Sequence, residues 1–441
     1  MSQVLTRGPL YFIFLEVSAM CVRHCVLIAI VFSAIGLGPI PASGEVGEPP
    51  LQLDAVVTEA LLRNPEIQAA RHRWQAAKER APQAAALDDP EFKVELFNYP
   101  NRLYPDASAN TIFGLSQRFP YPGKRGLKES LAVKEAEMAA ALLRAKERDV
   151  AAQAKNAYYE VFLAHKAIEV HHRQIDLLKE FFEIANARFR AGKGAQVDVL
   201  KSSVELSKLS NELPVLEQQR ETAKARLNLF LGRAPQSPLG MPVEPAGPGR
   251  TGTWPTFDEL HRMAMQNRPE LRVLDFEITR AQTATALAHK QLYPDFNVSI
   301  ERYQNFDTRD GFGGGVTMSL PFSFWTRPKY EAGIREAASN VDSARATLQA
   351  LQNQILFEVK DLLAKIEASE KMVALYKTTV LPQAQQTLES ARIGYQTGKA
   401  EFLTLLDAER AIKDFQLAYY RVLTETEQRT AELERAVGAD L

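Results

Sequence analysis

The sequence predicts a mainly α-helical protein with a small β part, built from two copies of a helix–strand–strand–helix–helix unit. Three observations predict this fold class: duplicated motifs, very long stretches without proline or glycine, and four short segments of alternating apolar and polar residues. The chain has 441 residues, is 46% hydrophobic and 24% charged, and carries a net charge of −1. This near-neutral charge argues against nucleic-acid binding. The only cysteines, Cys21 and Cys25, exclude a disulfide scaffold or thiolate chemistry beyond the N-terminus.

Residues 1–44 are predicted to be a secretory signal peptide, with Met20 as an alternative start. Arg23 and His24 precede an apolar run over 26–37, and small residues follow up to Gly44. This order of cationic, apolar and small residues is typical of signal peptides. An N-terminal membrane anchor is the alternative, although the run is shorter than the roughly 20 residues that span a bilayer. The mature chain is expected to be exported and to carry no transmembrane helix.

Two tandem repeats organise the rest of the chain. Pro65-Glu66 recurs as Pro269-Glu270 at an offset of 204, and Gly192-Lys193 recurs as Gly398-Lys399 at an offset of 206. Repeated motifs at nearly one offset indicate a duplicated structural unit. The repeats are assigned to residues 45–240 and 257–441, and the proline- and glycine-rich segment 241–256 is assigned as the linker.

Each repeat is expected to begin with a helix interrupted by its proline, followed by two strands, a very long helix, a Gly-Lys turn and a returning helix. In the first repeat no proline or glycine occurs from Leu127 to Ala191, and a helix of this length would extend about 97 Å. Its apolar residues recur at 3–4 spacing, broken only by His171, which predicts coiled-coil packing. The predicted apolar stripe consists of Val161, Ala164, Ile168, Ile175, Leu178, Phe182, Ala185 and Phe189.

Four segments, 91–98, 110–119, 295–303 and 312–322, alternate apolar and polar residues as membrane-spanning β-strands do. Val94 and Val298 fall on the predicted apolar faces, whereas Asn297 and Ser299 fall on a polar face. Two ordinary hairpins that cap a helical domain are the alternative, and the export signal favours the membrane. Four strands cannot close a barrel, and open sheet edges are not tolerated in lipid. Three chains with twelve strands, a homotrimer, are therefore predicted.

Several motifs give the chain a resemblance to a known family. The hairpin turns read Arg-Phe-Arg-Ala-Gly-Lys-Gly-Ala-Gln-Val-Asp-Val-Leu (188–200) and Gly-Tyr-Gln-Thr-Gly-Lys-Ala-Glu-Phe-Leu-Thr-Leu-Leu-Asp (394–407). With the duplicated unit, they resemble the TolC-like outer-membrane factor family, the outer membrane efflux proteins of Gram-negative bacteria, over residues 50–437. The segment Phe-Pro-Tyr-Pro-Gly-Lys-Arg-Gly (119–126) resembles the branch for heavy-metal efflux, the cobalt–zinc–cadmium and copper–silver exporters.

This resemblance implies a passive homotrimeric conduit rather than an enzyme. The family combines a twelve-stranded β-barrel in the outer membrane with a helical barrel through the periplasm. The helical tip docks a periplasmic adaptor, or membrane fusion protein, attached to an inner-membrane pump of the resistance-nodulation-division type. Export of drugs or type I protein secretion is the alternative within the family. A periplasmic adaptor or a soluble coiled-coil scaffold is the alternative of another class, although an adaptor would need a compact β-rich domain.

The resemblance also implies a gate at the helical tips, whereas no catalytic, cofactor or metal-binding motif is found. Tyr395 and Asp198 match a pair that latches the closed state in the family. Asp407 matches an acidic gate residue of the family, and Thr404 stands where a second acid is usual, so the gate is expected to be less acidic. Ala400 replaces a basic latch residue, for which the neighbouring Lys399 is a candidate substitute, so the gate is also expected to be less tightly latched. Asp407 and Asp198 as merely solvated residues beside a turn are the alternative. The assignments are the gate residues Asp407 and Thr404, the latch residues Tyr395, Asp198 and Lys399, and the hairpin-tip turns Gly192 and Gly398.

Overall fold

The computed structural model describes residues 50–97, 110–245, 254–304 and 309–441, so the predicted signal peptide and residues 246–253 of the predicted linker lie outside the described residues. The elements follow the predicted order in both repeats, and the predicted fold class is confirmed. The first repeat contains α1 (Leu53–Arg63), α2 (Pro65–Lys78), α3 (Arg80–Ala85), β1 (Glu91–Phe97), β2 (Asn110–Phe119), α4 (Lys124–Arg190) and α5 (Gln196–Leu231). The second contains α6 (Phe257–Asn267), α7 (Pro269–Lys290), β3 (Phe296–Gln304), β4 (Gly311–Met318), α8 (Arg327–Leu375), a π-helical turn (Tyr376–Val380), α9 (Leu381–Thr397) and α10 (Phe402–Val437).

The first helix of each repeat is interrupted where the proline predicts it. In the first repeat, the Asn64 side chain caps α2 by accepting a hydrogen bond from the amide of Glu66 at 2.8 Å, with Pro65 as the first helical residue. Unlike the second repeat, the first has another break at Glu79. Pro82 lies in the following turn, where its missing amide cannot extend the helix hydrogen bonds.

The long helices have the predicted extent. The helix α4 has 67 residues, about 100 Å at the helical rise. Its counterpart in the second repeat contains the π-helical turn, which ends two residues before Pro382. Because proline cannot donate to the carbonyl four residues earlier, the wider turn accommodates the interruption without ending the helix. None of the helices in the described ranges combines the length and the hydropathy needed to cross a bilayer.

The four strands form one antiparallel sheet in the order β1-β2-β3-β4, and the pairing of β2 with β3 joins the two repeats. Val94 lies opposite Phe113, and Val298 lies opposite Val316. The register therefore aligns the apolar alternation of all four strands on one face, as predicted from the sequence.

Buried apolar side chains form separate clusters along the helices. The cluster nearest the hairpin tips joins α4 and α5 of the first repeat to α9 and α10 of the second. The predicted stripe of α4 needs correction here, because Phe181 is the fully buried aromatic residue while Phe182 is half-buried and Phe189 is 42% exposed. His171 is buried in the stripe, where its Nε2 lies 2.5 Å from the carbonyl oxygen of Leu209 on α5.

Candidate functional site

Each helical hairpin ends at a tight tip whose turn depends on a glycine. Gly192 (φ 68°) and Gly398 (φ 78°) adopt the left-handed conformation that side chains with a Cβ atom disfavour. In each turn the amide of the following lysine donates to the carbonyl five residues before it, with N···O distances of 2.9 and 2.8 Å. Both turns thus end the helix before the tip and let the chain reverse.

Tyr395 of α9 connects the second tip to the first. Its side chain is 2% exposed, and its hydroxyl donates to Oδ2 of Asp198 on α5 at 3.2 Å. Its ring also packs on Phe402, with ring centroids 5.2 Å apart. Burial, together with the charge and hydrogen bond of Asp198, raises the pKa of Tyr395 to about 12. The hydroxyl therefore stays protonated, and the two residues assigned as a latch pair are in contact.

Arg188 of α4 makes the cationic contact across the tips that was expected of Lys399. Its guanidinium lies 4.7 Å from the ring centroid of Tyr395 and donates to the carbonyl oxygens of Tyr395 and Gln396, the latter at 3.0 Å. A planar guanidinium can stack on an aromatic ring and donate to several acceptors at once. Lys399, by contrast, is exposed at the turn.

A second polar connection lies farther from the tips. Glu205 of α5 has a side chain that is only 6% exposed, and it accepts hydrogen bonds from Nε and Nη2 of Arg410 on α10 at 3.1 and 2.6 Å. The hydrogen bond with Arg410 lowers the pKa of Glu205, so this carboxyl is ionised at neutral pH. Sequence reasoning did not find this pair. We use the term tip latch for Arg188, Asp198, Glu205, Tyr395 and Arg410, which tie the first repeat to the second.

The assigned gate residues Asp407 and Thr404 lie three positions apart on α10, and both are exposed. The Asp407 side chain is 63% exposed, and its Oδ1 lies 3.8 Å from Nη1 of Arg410. Asp407 therefore neighbours the tip latch without being one of its buried partners. Its exposure leaves the carboxylate accessible to ions from solvent.

The apolar face of the sheet is exposed along all four strands. Phe312 is 80% exposed, Val316 is 71% and Phe92 is 70%. The opposite face is polar, with an ion pair between Lys93 and Glu95. Soluble proteins rarely leave so large a continuous apolar surface uncovered. The exposed apolar set comprises Phe92, Val94, Leu96, Phe113, Leu115, Phe119, Val298, Ile300, Phe312, Val316 and Met318.

The polar face of the sheet carries glycines where neighbouring strands need room. A Cβ atom on Gly313 would lie 2.8 Å from the ring of Tyr303, and one on Gly315 would lie 2.8 Å from Oγ of Ser299. The hydroxyl of Tyr303 donates to Glu301 at 2.7 Å along this face. Glycine is therefore required at positions 313 and 315 of β4, because the side chains of Tyr303 and Ser299 on β3 occupy the space that a Cβ atom would need.

Asp295 joins the sheet to the long helix and was also missed by sequence reasoning. It lies directly before β3 and accepts hydrogen bonds from Nζ of Lys124 at 2.7 Å and from Nη2 of Arg118 at 3.0 Å. The amide of Tyr121 donates to the same carboxylate at 2.9 Å. Asp295 therefore fixes the beginning of α4 against the second repeat.

No cluster of three or more histidine, cysteine, aspartate or glutamate side chains with metal-binding geometry occurs among the described residues.

Comparison with known proteins gives a consistent result. The family described as outer membrane efflux protein matches residues 56–233 and 260–439. The cobalt-zinc-cadmium resistance protein CzcC of Cupriavidus metallidurans is 25% identical over 415 residues, which cover 93% of this chain and 95% of CzcC. The pyoverdine export outer membrane protein OpmQ of Pseudomonas aeruginosa is 23% identical, covering 88% and 85%. A crystal structure of CusC aligns with a TM-score of 0.75 at 15% identity, covering 92% and 98%, and supports the fold alone.

Proposed function

The chain belongs to the outer membrane efflux protein family, and from this premise we propose that three copies form one gated channel for heavy-metal cations. Members of this family are channels of the Gram-negative outer membrane with a long periplasmic helical part, not enzymes. Family membership also decides against the periplasmic adaptor or scaffold considered from the sequence. The trimer, the gate, the partners and the substrate are the parts that we propose.

The observation that carries the proposal is the exposed apolar face of the four-stranded sheet. Such a face is suited to lipid, but among the described residues the outer edges of β1 and β4 have no partner strand. Lipid-exposed sheet edges do not occur in the hydrocarbon region, whereas a closed barrel satisfies every strand. Three copies would pair β4 of one chain with β1 of the next and close a twelve-stranded barrel.

The proposed organisation of the chain follows the sequence repeats. Residues 1–44 act as the signal peptide, 45–240 and 257–441 as the two repeats, and 241–256 as the linker. The family matches over 56–233 and 260–439 fall within the two proposed repeats and support this division. Each chain thus contributes two hairpins of strands and two hairpins of helices to the channel.

The tips are proposed to close the channel and to receive a periplasmic adaptor. In the closed state the tip latch holds α9 and α10 of the second repeat against α4 and α5 of the first. Asp407 and Thr404 would then line the narrowest part of the channel around the threefold axis. Docking of an adaptor attached to an inner-membrane pump of the resistance-nodulation-division type would release the latch.

The proposed cargo is heavy-metal cations, selected by the pump rather than by the channel. CzcC, named for cobalt, zinc and cadmium resistance, aligns over nearly the whole length of both chains, and residues 119–126 resemble the heavy-metal branch of the family. The runner-up is efflux of drugs or type I protein secretion. OpmQ, which is named for pyoverdine export, covers almost as much of the chain, so the substrate needs a direct test.

The test is complementation of a strain from which this gene has been deleted. We expect the deletion to lower the tolerated concentrations of cobalt, zinc, cadmium, copper or silver salts and the intact gene to restore them. Ser299→Arg, on the polar face of β3, should complement, whereas Val298→Arg, on the apolar face, should not. Unchanged metal tolerance together with altered siderophore export or drug tolerance would contradict the metal assignment and support the runner-up.

A further inference from the structure

Glu409 is a carboxylic acid buried at the interface between the repeats, next to the tip latch. Its side chain is 1% exposed, and it lies on the face of α10 that carries Leu405 and Ile412 at helical spacing. This part of α10 packs on apolar residues of α4 and α9 within the tip cluster. Those residues are Leu178, Phe181 and Ala185 of α4 and Leu388 and Ala391 of α9.

The surroundings of Glu409 do not compensate an ionised carboxylate. Among the described residues, its Oε1 has no hydrogen-bond partner. The charged groups acting on it are Lys413, Arg410 and Asp414 of α10 and Glu205 of α5. Arg410 is bound to Glu205, and Lys413 lies 3.8 Å from Glu212 on α5. The two cations nearest to Glu409 along its helix are therefore paired with acids of the first repeat.

We propose that Glu409 is a proton-binding residue that couples opening of the tips to periplasmic pH. In the closed tip it is buried and protonated; when α9 and α10 separate from α4 and α5 it meets water and ionises. This inference rests on the proposed gate and deepens it, because it assigns a ligand, the proton, to a residue that the tip latch itself does not use.

The direction of the pH effect follows from the two states. Burial raises the pKa of the Glu409 carboxyl to about 7 in the closed tip, with Glu205 and Asp414 adding to the shift and Lys413 and Arg410 opposing it. Hydration would return the pKa to the ordinary value of about 4.3. The closed tip thus binds the proton more tightly. The stabilisation of the closed tip relative to the open tip by this proton is greatest at acid pH and is lost as the pH rises toward 7.

Neighbouring titratable groups do not produce the same response. The pKa of Glu205 is lowered by its hydrogen bond to Arg410, so Glu205 stays ionised between pH 5 and pH 8. His171 on α4 has its Nε2 at the carbonyl oxygen of Leu209 on α5, a contact within the first repeat.

The first experiment records single-channel currents of the purified full-length channel in planar bilayers from pH 5 to pH 8. For the wild type we expect the closed-to-open ratio to fall by about 10- to 100-fold per chain across this range, since each pH unit between the two pKa values contributes up to tenfold. Glu409→Gln, which resembles the protonated acid, should stay at the acid-pH ratio throughout. Asp342→Asn, at an acid of α8 whose side chain is 78% exposed, should keep the wild-type response.

The outcomes separate this inference from the proposed function. If the protein forms no channel, the proposed function fails; if Glu409→Gln conducts and keeps the wild-type pH response, only the role of Glu409 is overturned. A second measurement replaces Glu409 with cysteine, which is then the one cysteine of the mature chain because Cys21 and Cys25 lie in the proposed signal peptide. Maleimide should label this position faster when Arg188→Ala weakens the latch. Equal labelling in latched and conducting channels would also overturn the inference.

Discussion

Removing Arg410 should shift the closed tip toward the open state, because it leaves Glu205 buried without its partner. Breaking a buried ion pair by deleting one partner costs about 3–5 kcal/mol. The Arg410 side chain is 41% exposed, so water can reach part of the vacated space, whereas the Glu205 side chain is 6% exposed. Allowing for this screening, we expect Arg410→Ala to destabilise the closed state by about 1.5–3 kcal/mol. This corresponds to an increase of about 10- to 150-fold in the open-to-closed ratio.

The assay is a double-mutant cycle read from single-channel open probability. Arg410→Ala, Glu205→Gln and the double variant are compared with the wild type at pH 7. If the pair acts as one latch, the double variant should open no more than Arg410→Ala alone, because Glu205→Gln removes the unpaired buried charge. The contribution of the pair is present above the ordinary pKa of glutamate and is lost as the pH falls through the lowered pKa of Glu205.

The matched control is an exposed ion pair away from the tips. Arg345 and Asp342 lie within α8, with side chains 60% and 78% exposed and a distance of 3.4 Å. Such pairs contribute about 0–1 kcal/mol, so Arg345→Ala should leave the open probability nearly unchanged. If Arg410→Ala has no larger effect than Arg345→Ala, the Glu205–Arg410 pair is not a latch and the reasoning from burial is wrong.

Three further predictions concern the strand faces, the Tyr395 hydroxyl and the gate acid. Val298→Arg should impair insertion, because a cation on the lipid face costs about 2–4 kcal/mol at mid-membrane; detergent-stable trimers should be lost with Val298→Arg but not with Ser299→Arg, and equal loss would mean that the faces are misassigned. Tyr395→Phe removes the donor to Asp198 and should raise the open probability without changing ion selectivity, as single-channel currents would show. Asp407→Asn should reduce cation selectivity and relieve block by divalent cations, because three carboxylates near one axis attract cations; unchanged block would show that Asp407 is only a solvated residue beside the turn.

The sequence was sufficient to predict the elements whose signal is local. Period-2 alternation assigned Val94 and Val298 to the apolar faces of their strands, and the register of the sheet places both faces on the same side. The long helices were predictable because proline and glycine are absent over tens of residues. The buried stripe of α4 was less accurate, with Phe181 rather than Phe182 in the core. A 3.5-residue repeat drifts from the 3.6-residue period of a straight helix, so face assignments lose accuracy along a helix of 67 residues.

The tip latch was only partly predictable, because its contacts join residues about 200 positions apart in the chain. The pair of Tyr395 and Asp198 was identified through the family resemblance, and the structure brings the two together. Glu205 and Arg410 lie on helices of different repeats, and their contact depends on the rotation of each helix about its axis. No local pattern reports that rotation. Charged residues at such positions look like ordinary solvated residues until the packing is known.

The latch depends on differences between the two repeats rather than on their similarity. At the offset of 206 that aligns the tips, Asp198 corresponds to Thr404, Glu205 to Ala411, and Arg188 to Gly394. In the same alignment, Arg410 corresponds to Val204 and Glu409 to Ser203. Each polar contact of the latch thus uses a side chain whose counterpart in the other repeat cannot make it. The duplication supplies two hairpins of matching length, and divergence at these positions supplies complementary charges where the hairpins meet. If the tips of the two repeats were exchanged, the helices should therefore still form. Each side chain of the tip latch would then lie on the other helical hairpin from the one that carries it now.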